Sequence, residues 1–276
     1  MNNLFRFIRR HNFFFLFLLL ETLAIAMILT NQQYQRNVFF NSANIISGTI
    51  YNLQNNLTSY VSLKKVNRQL MHEYARLLEA QDNTYFVVER PDTTDKPERI
   101  KQYSYSYAEV INNSVIRRNN YMTLNRGAMH GIEPDMGVIT PDGVAGIVIN
   151  TSRHFSVAMS LLHSDMLLSV KLLKNNQLGS LSWDGSNYRE AILSYIPPHI
   201  ELSRGDTVVT SGFSTVFPGD LFIGTVKDWE VKKGDTFYTV TVELALDFNK
   251  LSYVYVVTNL MKEEQDELES SVLRDF

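Results

Sequence analysis

An almost uninterrupted apolar segment near the N-terminus constrains this chain more than any other feature. It runs from Phe13 to Thr30, FFFLFLLLETLAIAMILT, and three arginines precede it at positions 6, 9 and 10. A helix of about 18 residues is about 27 Å long, close to the thickness of the hydrocarbon core of a bilayer. Basic clusters beside a membrane span stay in the cytoplasm. The sequence therefore predicts a cytoplasmic N-terminus over 1–12, a single transmembrane helix over 13–30, and the rest of the chain outside.

A cleaved signal peptide is the alternative interpretation of this segment. The triplet Ala24-Ile25-Ala26 has the small residues of a cleavage site. The apolar residues continue through Leu29, however, and the segment is longer than a usual signal core, which favours a permanent anchor. Glu21 lies near the middle of the predicted span, where a carboxylate is costly. It is either an intramembrane polar contact to another helix or a protonated side chain that lipid tolerates.

The composition is that of a folded protein and excludes several classes of function. The chain has 276 residues, of which 45% are hydrophobic, and its formal net charge is -3. Nucleic-acid binding requires a basic face, and no stretch of the sequence supplies one. The chain also has no cysteine, which excludes thiol catalysis, cysteine-ligated zinc and disulfides.

Residues 33–82 carry a heptad pattern that predicts a coiled-coil helix. The residues of the predicted seam follow one another at spacings of three and four. Lys64 and Asn67 are polar residues at two of these positions. A 3.5-residue repeat predicts a left-handed supercoil, and isolated polar residues on a seam commonly fix its register. A parallel homodimer is the expected form, and one amphipathic helix packed on its own domain is the alternative. The apolar seam residues are Ile46, Ile50, Leu53, Leu57, Tyr60, Met71, Tyr74 and Leu78.

The pattern changes to strands after a turn-rich segment, PDTTDKP, which lies within a predicted linker over 83–102. Short runs rich in β-branched and aromatic residues follow, separated by turns of Gly, Pro and Asp. Their regular spacing is typical of a β-barrel or a β-sandwich. The last residues, 260–276, are strongly acidic, so we expect a solvated and poorly ordered tail; an acidic docking tail is the alternative.

Motifs for chemistry are weak throughout the sequence. His154, Asp184 and Ser211 occur in the chain order of a trypsin-type triad, but any chain of this length contains such a triple. The remaining histidines do not have the spacing of a zinc site, and no glycine-rich stretch has the Lys-Ser/Thr of a phosphate-binding loop. We therefore expect no catalytic residue, no metal site and no cofactor. A membrane-anchored trypsin-like serine peptidase is the alternative function.

Two stretches of the β-rich region carry specific motifs. The first extends from Asn120 to Asp165 and has glycines at Gly127, Gly131, Gly143 and Gly146. The second, GDTVVTSGFSTVFPGDLFIGTV, has the pattern G-D-x-V-x-T-S-G followed by F-P and a later G-x-V. Both stretches resemble the signatures of the bacterial rod shape-determining protein MreC family. Together with the apolar segment, the heptads and a closing LSYVYVV, the resemblance covers nearly the whole chain.

The resemblance implies a mainly β fold with two small β-barrel domains, which we place at 103–165 and 166–259. The closing strands could instead return to the first barrel and make the second an insertion. It further implies a dimer or filament at the inner membrane, largely in the periplasm, that maintains rod cell shape. The implied partners are a class B penicillin-binding transpeptidase, a RodA-type glycosyltransferase, and MreB filaments linked through MreD and RodZ.

Replacing Leu53 and Leu57 together by aspartate is expected to dissociate the dimer, because charges at neighbouring seam positions oppose helix pairing. Sedimentation of the outer fragment measures the effect. Unchanged sedimentation would contradict the coiled coil.

Overall fold

The computed structural model describes residues 11–30, 63, 65–88, 98–231 and 234–273. The chain divides into two compact units, Met1–Arg68 and Gln69–Phe276. Helix α1 in the first unit covers Asn12–Thr30. Within the described residues, no helix satisfies both the length and the apolarity needed to cross a membrane. The predicted transmembrane helix is thus not shown by the structure.

The rest of the described chain is mainly β. Helix α2 covers residues 65–79, and helix α3, Lys262–Leu273, ends the described region. Fourteen strands lie between these helices in the described residues, and all of their pairings are antiparallel. They are β1 (Tyr85–Val88), β2 (Glu98–Lys101), β3 (Tyr103–Asn113), β4 (Asn119–Leu124), β5 (Gly137–Thr140), β6 (Gly143–Thr151), β7 (Ser156–His163), β8 (Leu167–Leu172), β9 (Leu178–Ser182), β10 (Glu190–Ile196), β11 (Thr207–Thr210), β12 (Phe222–Glu230), β13 (Tyr238–Leu244) and β14 (Tyr253–Asn259).

Twelve of these strands close into two six-stranded barrels, which confirms the predicted fold class of a mainly β protein with two small barrels. The first barrel has the strand order β14-β3-β4-β7-β6-β5, and the second has β10-β13-β12-β11-β8-β9. Strands β1 and β2 form a separate two-stranded sheet. Each barrel has several bulges, where the register of paired strands shifts and lets the sheet curve.

The boundary predicted between the barrels requires a correction at the last strand. The range 166–259 assigned Tyr253–Asn259 to the second barrel, whereas β14 pairs with β3 and β5 of the first. Tyr255, for example, lies opposite Tyr107 on one side and Ile139 on the other. The first barrel therefore has strands on both sides of the second in the sequence, and the whole second barrel is inserted between β7 and β14.

One loop of the second barrel packs on the first barrel. It connects β11 to β12 and carries Phe217, whose side chain is 1% exposed. The aromatic ring lies so close to Gly137 of β5 that a Cβ atom there would overlap it. Two backbone carbonyls of the loop also accept hydrogen bonds: Thr215 from the Asn259 amide at 2.9 Å, and Gly219 from the Asn83 amide at 3.3 Å. The loop thus joins the two barrels through the buried ring and the hydrogen bond to Asn259, and its hydrogen bond to Asn83 adds a contact to the segment before β1.

The acidic tail is more ordered than the sequence suggested. Its residues form helix α3, and Glu263 and Glu264 lie in the first turn, where a negative charge is favourable beside the helix dipole. The side chains of Gln265 and Glu269 form a hydrogen bond of 2.9 Å one turn apart. The expectation of a poorly ordered tail is therefore wrong for Lys262–Leu273.

Replacing Phe217 by alanine is expected to lower the free energy of unfolding by about 3–5 kcal/mol, because a fully buried ring is lost and leaves a cavity at the junction. Urea unfolding of the full-length chain, followed by tryptophan fluorescence, measures the change. Phe213 in the same loop is 77% exposed, so Phe213→Ala is the matched control and should change stability by less than about 0.5 kcal/mol. Equal effects of the two substitutions would contradict the role of Phe217.

Candidate interaction surface

Helix α2 packs one apolar face on the first barrel. Met71 and Leu78 are 9% and 4% exposed, and Tyr74 packs beside them against the same core. The Tyr255 hydroxyl of β14 lies 3.2 Å from the Met71 sulfur, and the rings of Tyr74 and Tyr255 are 5.2 Å apart. Burial, and to a smaller extent Tyr74, raises the pKa of Tyr255 to about 12, so this hydroxyl stays protonated at neutral pH.

This packing corrects the last part of the predicted dimer seam. Met71, Tyr74 and Leu78 were assigned to contacts with a second helix, but here they contact the chain's own barrel. The alternative of an amphipathic helix packed on its own domain describes these three residues. The other seam residues, Ile46, Ile50, Leu53, Leu57 and Tyr60, lie outside the described residues, so their assignment stays a prediction.

A second set of apolar side chains on α2 and just before it is exposed. Leu63, Val66, Leu70 and Leu77 have exposures of 64%, 48%, 58% and 61%. Leu70 and Leu77, together with Tyr74, form one wall of a groove of about 440 Å³ whose other wall is Pro141 and Tyr255 of the first barrel. Among the residues that the structure describes, Glu73 is the one charged residue that lines it. We call this feature the α2 groove.

The predicted seam included Tyr74 of the α2 groove but did not include Leu63, Val66, Leu70 and Leu77. The signal was present, since Leu63, Val66, Leu70 and Leu77 also follow steps of three, four and seven residues. The contribution of Pro141, in the turn between β5 and β6, had no such signal, because only the folded barrel brings it beside the helix.

A pair of exposed aromatic residues lies on the second barrel. Tyr195 is 63% exposed and Phe237 is 41% exposed, and their rings meet edge to face with centroids 5.8 Å apart. Tyr195 has a φ of +66°, an uncommon backbone conformation for a residue other than glycine, and lies at a bulge between β10 and β13. Exposed aromatic residues held in this way are typical of a surface that binds another protein.

The three residues of the peptidase alternative do not form a triad. The Ser211 hydroxyl is 2.9 Å from the hydroxyl of Ser169, and the Asp184 carboxylate accepts a hydrogen bond from the Ser186 hydroxyl at 2.8 Å. His154 is exposed in the turn between β6 and β7 of the first barrel. Each side chain is thus engaged or placed away from the others, and a serine without a nearby base is not activated as a nucleophile.

Two histidines of the first barrel, His130 and His163, have structural partners. The Nε2 atom of His163 lies 2.9 Å from the Tyr121 hydroxyl, and its Nδ1 atom accepts a hydrogen bond from the backbone N–H of Asp165. Nδ1 of His130 accepts one from the backbone N–H of Gly127. Within the described parts of the chain, no three His, Asp or Glu side chains converge in a way that could hold a metal ion. Glu21, the predicted intramembrane contact, lies in α1 with an exposed side chain.

This chain is similar in sequence and in fold to known proteins that are described as MreC. The family model "Rod shape-determining protein MreC, barrel core" matches residues 110–258. The cell shape-determining protein MreC of Listeria monocytogenes is 27% identical over 230 residues, which cover 81% of this chain and 77% of the relative. MreC of Bacillus subtilis is 25% identical over 236 residues, with 80% of each chain covered. A solved structure of the Listeria protein has a TM-score of 0.54 at 25% identity and covers 79% of this chain and 96% of that one.

Replacing Leu78 by alanine is expected to loosen α2 from the first barrel at a cost of about 2–5 kcal/mol, since a buried leucine side chain is lost. Hydrogen exchange of the α2 amides in the full-length chain measures this opening. Arg76→Ala is the control, because Arg76 is exposed on the same helix and does not line the α2 groove, so its loss should leave exchange nearly unchanged. Faster exchange in the Arg76 variant alone would contradict the observed packing.

Proposed function

Because this chain belongs to the rod shape-determining protein MreC family, we propose that it is a non-enzymatic scaffold that organises peptidoglycan elongation and so maintains rod cell shape. The observation that carries the proposal is the family match over residues 110–258, which includes strands of both barrels. The separated positions of Ser211, Asp184 and His154 give the peptidase alternative no support.

The barrels are suited to a scaffold because they form a firmly joined pair. The inserted second barrel is connected to the first at both of its ends, between β7 and β8 and between β13 and β14. The buried Phe217 and the hydrogen bond from the Asn259 amide to the Thr215 carbonyl add a third connection. A scaffold needs its binding surfaces at fixed relative positions, and these three connections resist rotation of one barrel against the other.

We further propose that the scaffold is anchored in the cytoplasmic membrane by a single span, with a cytoplasmic N-terminus and the barrels in the periplasm. The apolar sequence of α1 and the arginines that precede it support this placement. Glu21 would then lie inside the bilayer and provide a polar contact to a neighbouring membrane helix, for which MreD is the proposed partner. Through MreD and RodZ the scaffold would reach MreB filaments on the cytoplasmic side.

Self-association through the heptads is also part of the proposal. The chain would form a parallel homodimer, and filaments would arise by further contacts between copies. The spacing of Ile46, Ile50, Leu53, Leu57 and Tyr60 supports a helical pair in this region. A dimer would present two barrel pairs side by side to the same synthetic complex.

The proposed enzymatic partners are a class B penicillin-binding transpeptidase and a RodA-type glycosyltransferase. Membership of the cell-shape family supports this choice, and the exposed Tyr195 and Phe237 supply an aromatic surface on which a protein partner could dock. Aromatic residues of this kind contribute much of the binding energy at protein interfaces.

Depletion of the chain in its native host tests the scaffold directly. Cells are expected to lose rod shape, and the Ser211→Ala variant is expected to restore it fully, because a scaffold needs no nucleophile. A variant without residues 110–258 is expected to fail, since it lacks the barrels. Cell shape is measured by microscopy, with the amount of each variant measured in parallel. Failure of Ser211→Ala at normal abundance, or reaction of Ser211 with a fluorophosphonate probe, would favour the peptidase instead.

A further inference from the structure

We propose that a cleft at the junction of α2 and the two barrels receives a cationic side chain, Lys or Arg, of a protein partner. The cleft has a volume of about 170 Å³, and we call it the junction cleft. Its walls include Tyr74 of α2, Asn83 just after the helix, Thr140 of β5 in the first barrel, and Asp220 in the loop between β11 and β12. The proposal goes beyond the scaffold role and is tested on the purified chain, so its failure would leave that role standing.

The junction cleft contains a hydrogen-bond acceptor that the protein leaves unsatisfied. Asn83 donates a hydrogen bond from Nδ2 to the Gly219 carbonyl at 3.3 Å, which orients its amide group. The buried Oδ1 atom of the same amide accepts no hydrogen bond within the described residues. A buried acceptor without a donor costs about 1–3 kcal/mol. A group with N–H donors that entered the cleft would remove this cost.

Negative charge surrounds the same cleft. Asp220 lines it, and Asp142 lies in the turn between β5 and β6, which forms one wall. Burial, and after it Asp142, raises the pKa of Tyr74, so the carboxylate acts on a group of the cleft. Lys171 pairs with Asp220 at 2.8 Å and offsets one charge. Asp142 forms no ion pair with a described residue, so the cleft favours a cation.

An organic cation suits these groups better than a metal ion. A metal ion needs several converging ligands, and no three His, Asp or Glu side chains converge among the residues that the structure describes. An ammonium or guanidinium group needs only acceptors for its N–H groups, and it also binds well against aromatic rings. Tyr74 and Phe222 supply such rings at the junction cleft, and Phe222 is 41% exposed.

The size of the junction cleft favours the end of a side chain over a complete ligand molecule. Each water molecule takes about 30 Å³ in the liquid, so the cleft has room for a group the size of about six waters. Pockets for free ligands are usually about 300–1,000 Å³. A group this small binds weakly alone, but its contribution becomes effective when the rest of a protein interface holds it in place.

An occupant of the junction cleft would contact α2 and both barrels together. Behind the cleft, Gly143 of the first barrel lies so close to the Phe222 carbonyl of the second that a Cβ atom at Gly143 would overlap it. The walls are therefore complete only when the second barrel is docked on the first. A partner that inserts a side chain here would recognise the assembled pair of barrels and neither barrel alone.

Methylguanidinium is the probe for the cationic group, and N-methylurea is its neutral isostere. Gln81→Cys gives a single labelling site for a trifluoromethyl group, because the chain has no cysteine and Gln81 is an exposed residue of the cleft. Fluorine NMR of the detergent-solubilised full-length chain should show saturable binding of methylguanidinium with a Kd on the order of 10 mM. No binding, or equal binding of N-methylurea, would overturn the proposal.

Two substitutions in the labelled chain test the groups that carry the argument. Asp142→Asn removes a charge without changing the shape of the side chain and should raise the Kd by about three- to tenfold. Asn83→Leu removes the unsatisfied acceptor and should raise it by at least about tenfold. Glu133→Gln is the matched control, because Glu133 is exposed on the first barrel and does not line the junction cleft. An unchanged Kd for Asp142→Asn would contradict the proposal even if Asn83→Leu failed to fold.

Photocrosslinking in the native host distinguishes a partner side chain from a free amine. With p-benzoylphenylalanine in place of Gln81, the full-length chain should crosslink to a peptide of one protein that contains Lys or Arg. Replacing that Lys or Arg by Gln in the partner, or Asp142 by Asn in this chain, should each reduce the crosslink at least about threefold. Methylguanidinium binding without such a crosslink would assign the cleft to free amines and overturn the protein partner, as would a crosslink that both substitutions leave unchanged.

Discussion

The pairing of β14 with β3 and β5 is the constraint on which the rest of the fold depends. Strand β14 closes the first barrel, and four consecutive side chains from Val254 to Val257 are buried. A strand buried on both faces needs a cover outside the barrel as well as a core inside it. Helix α2 provides that cover at Tyr255, and the loop that carries Phe217 lies beside Val257. Both the helix and the second barrel are therefore positioned by this one strand.

The same constraint determines which face of α2 is free for a partner. Because Met71 and Tyr74 pack on Tyr255, these contacts determine the orientation of α2 about its own axis. Leu70 and Leu77 then remain exposed beside Pro141. The helix therefore has one apolar face that attaches it to the barrel and a second that lines the α2 groove.

The sequence predicted the fold class and the position of the barrels, because glycine-rich turns and apolar strands are local signals and the two motif stretches are specific. It did not determine where β14 belongs, since the pairing of β14 with β3 joins residues about 150 positions apart. It also assigned Met71, Tyr74 and Leu78 to the wrong partner. Both apolar faces of α2 have heptad spacing and similar apolar content, and only the folded barrel shows which face is buried. The tail was expected to be poorly ordered because it is rich in negative charges. The same residues also favour a helix, and this preference was not considered.

The insertion of one barrel into the other has a consequence for the order of events during synthesis. The last strand of the first barrel leaves the ribosome after every strand of the second, so the later barrel can form completely while the earlier one is still open. Until Tyr253–Asn259 arrives, β3 and β5 keep unpaired edges, which are sites for wrong pairing with other chains. A chain cut short before this strand would carry a finished second barrel beside an unfinished first one. The first barrel can therefore be complete only after the whole β-rich region has been synthesised.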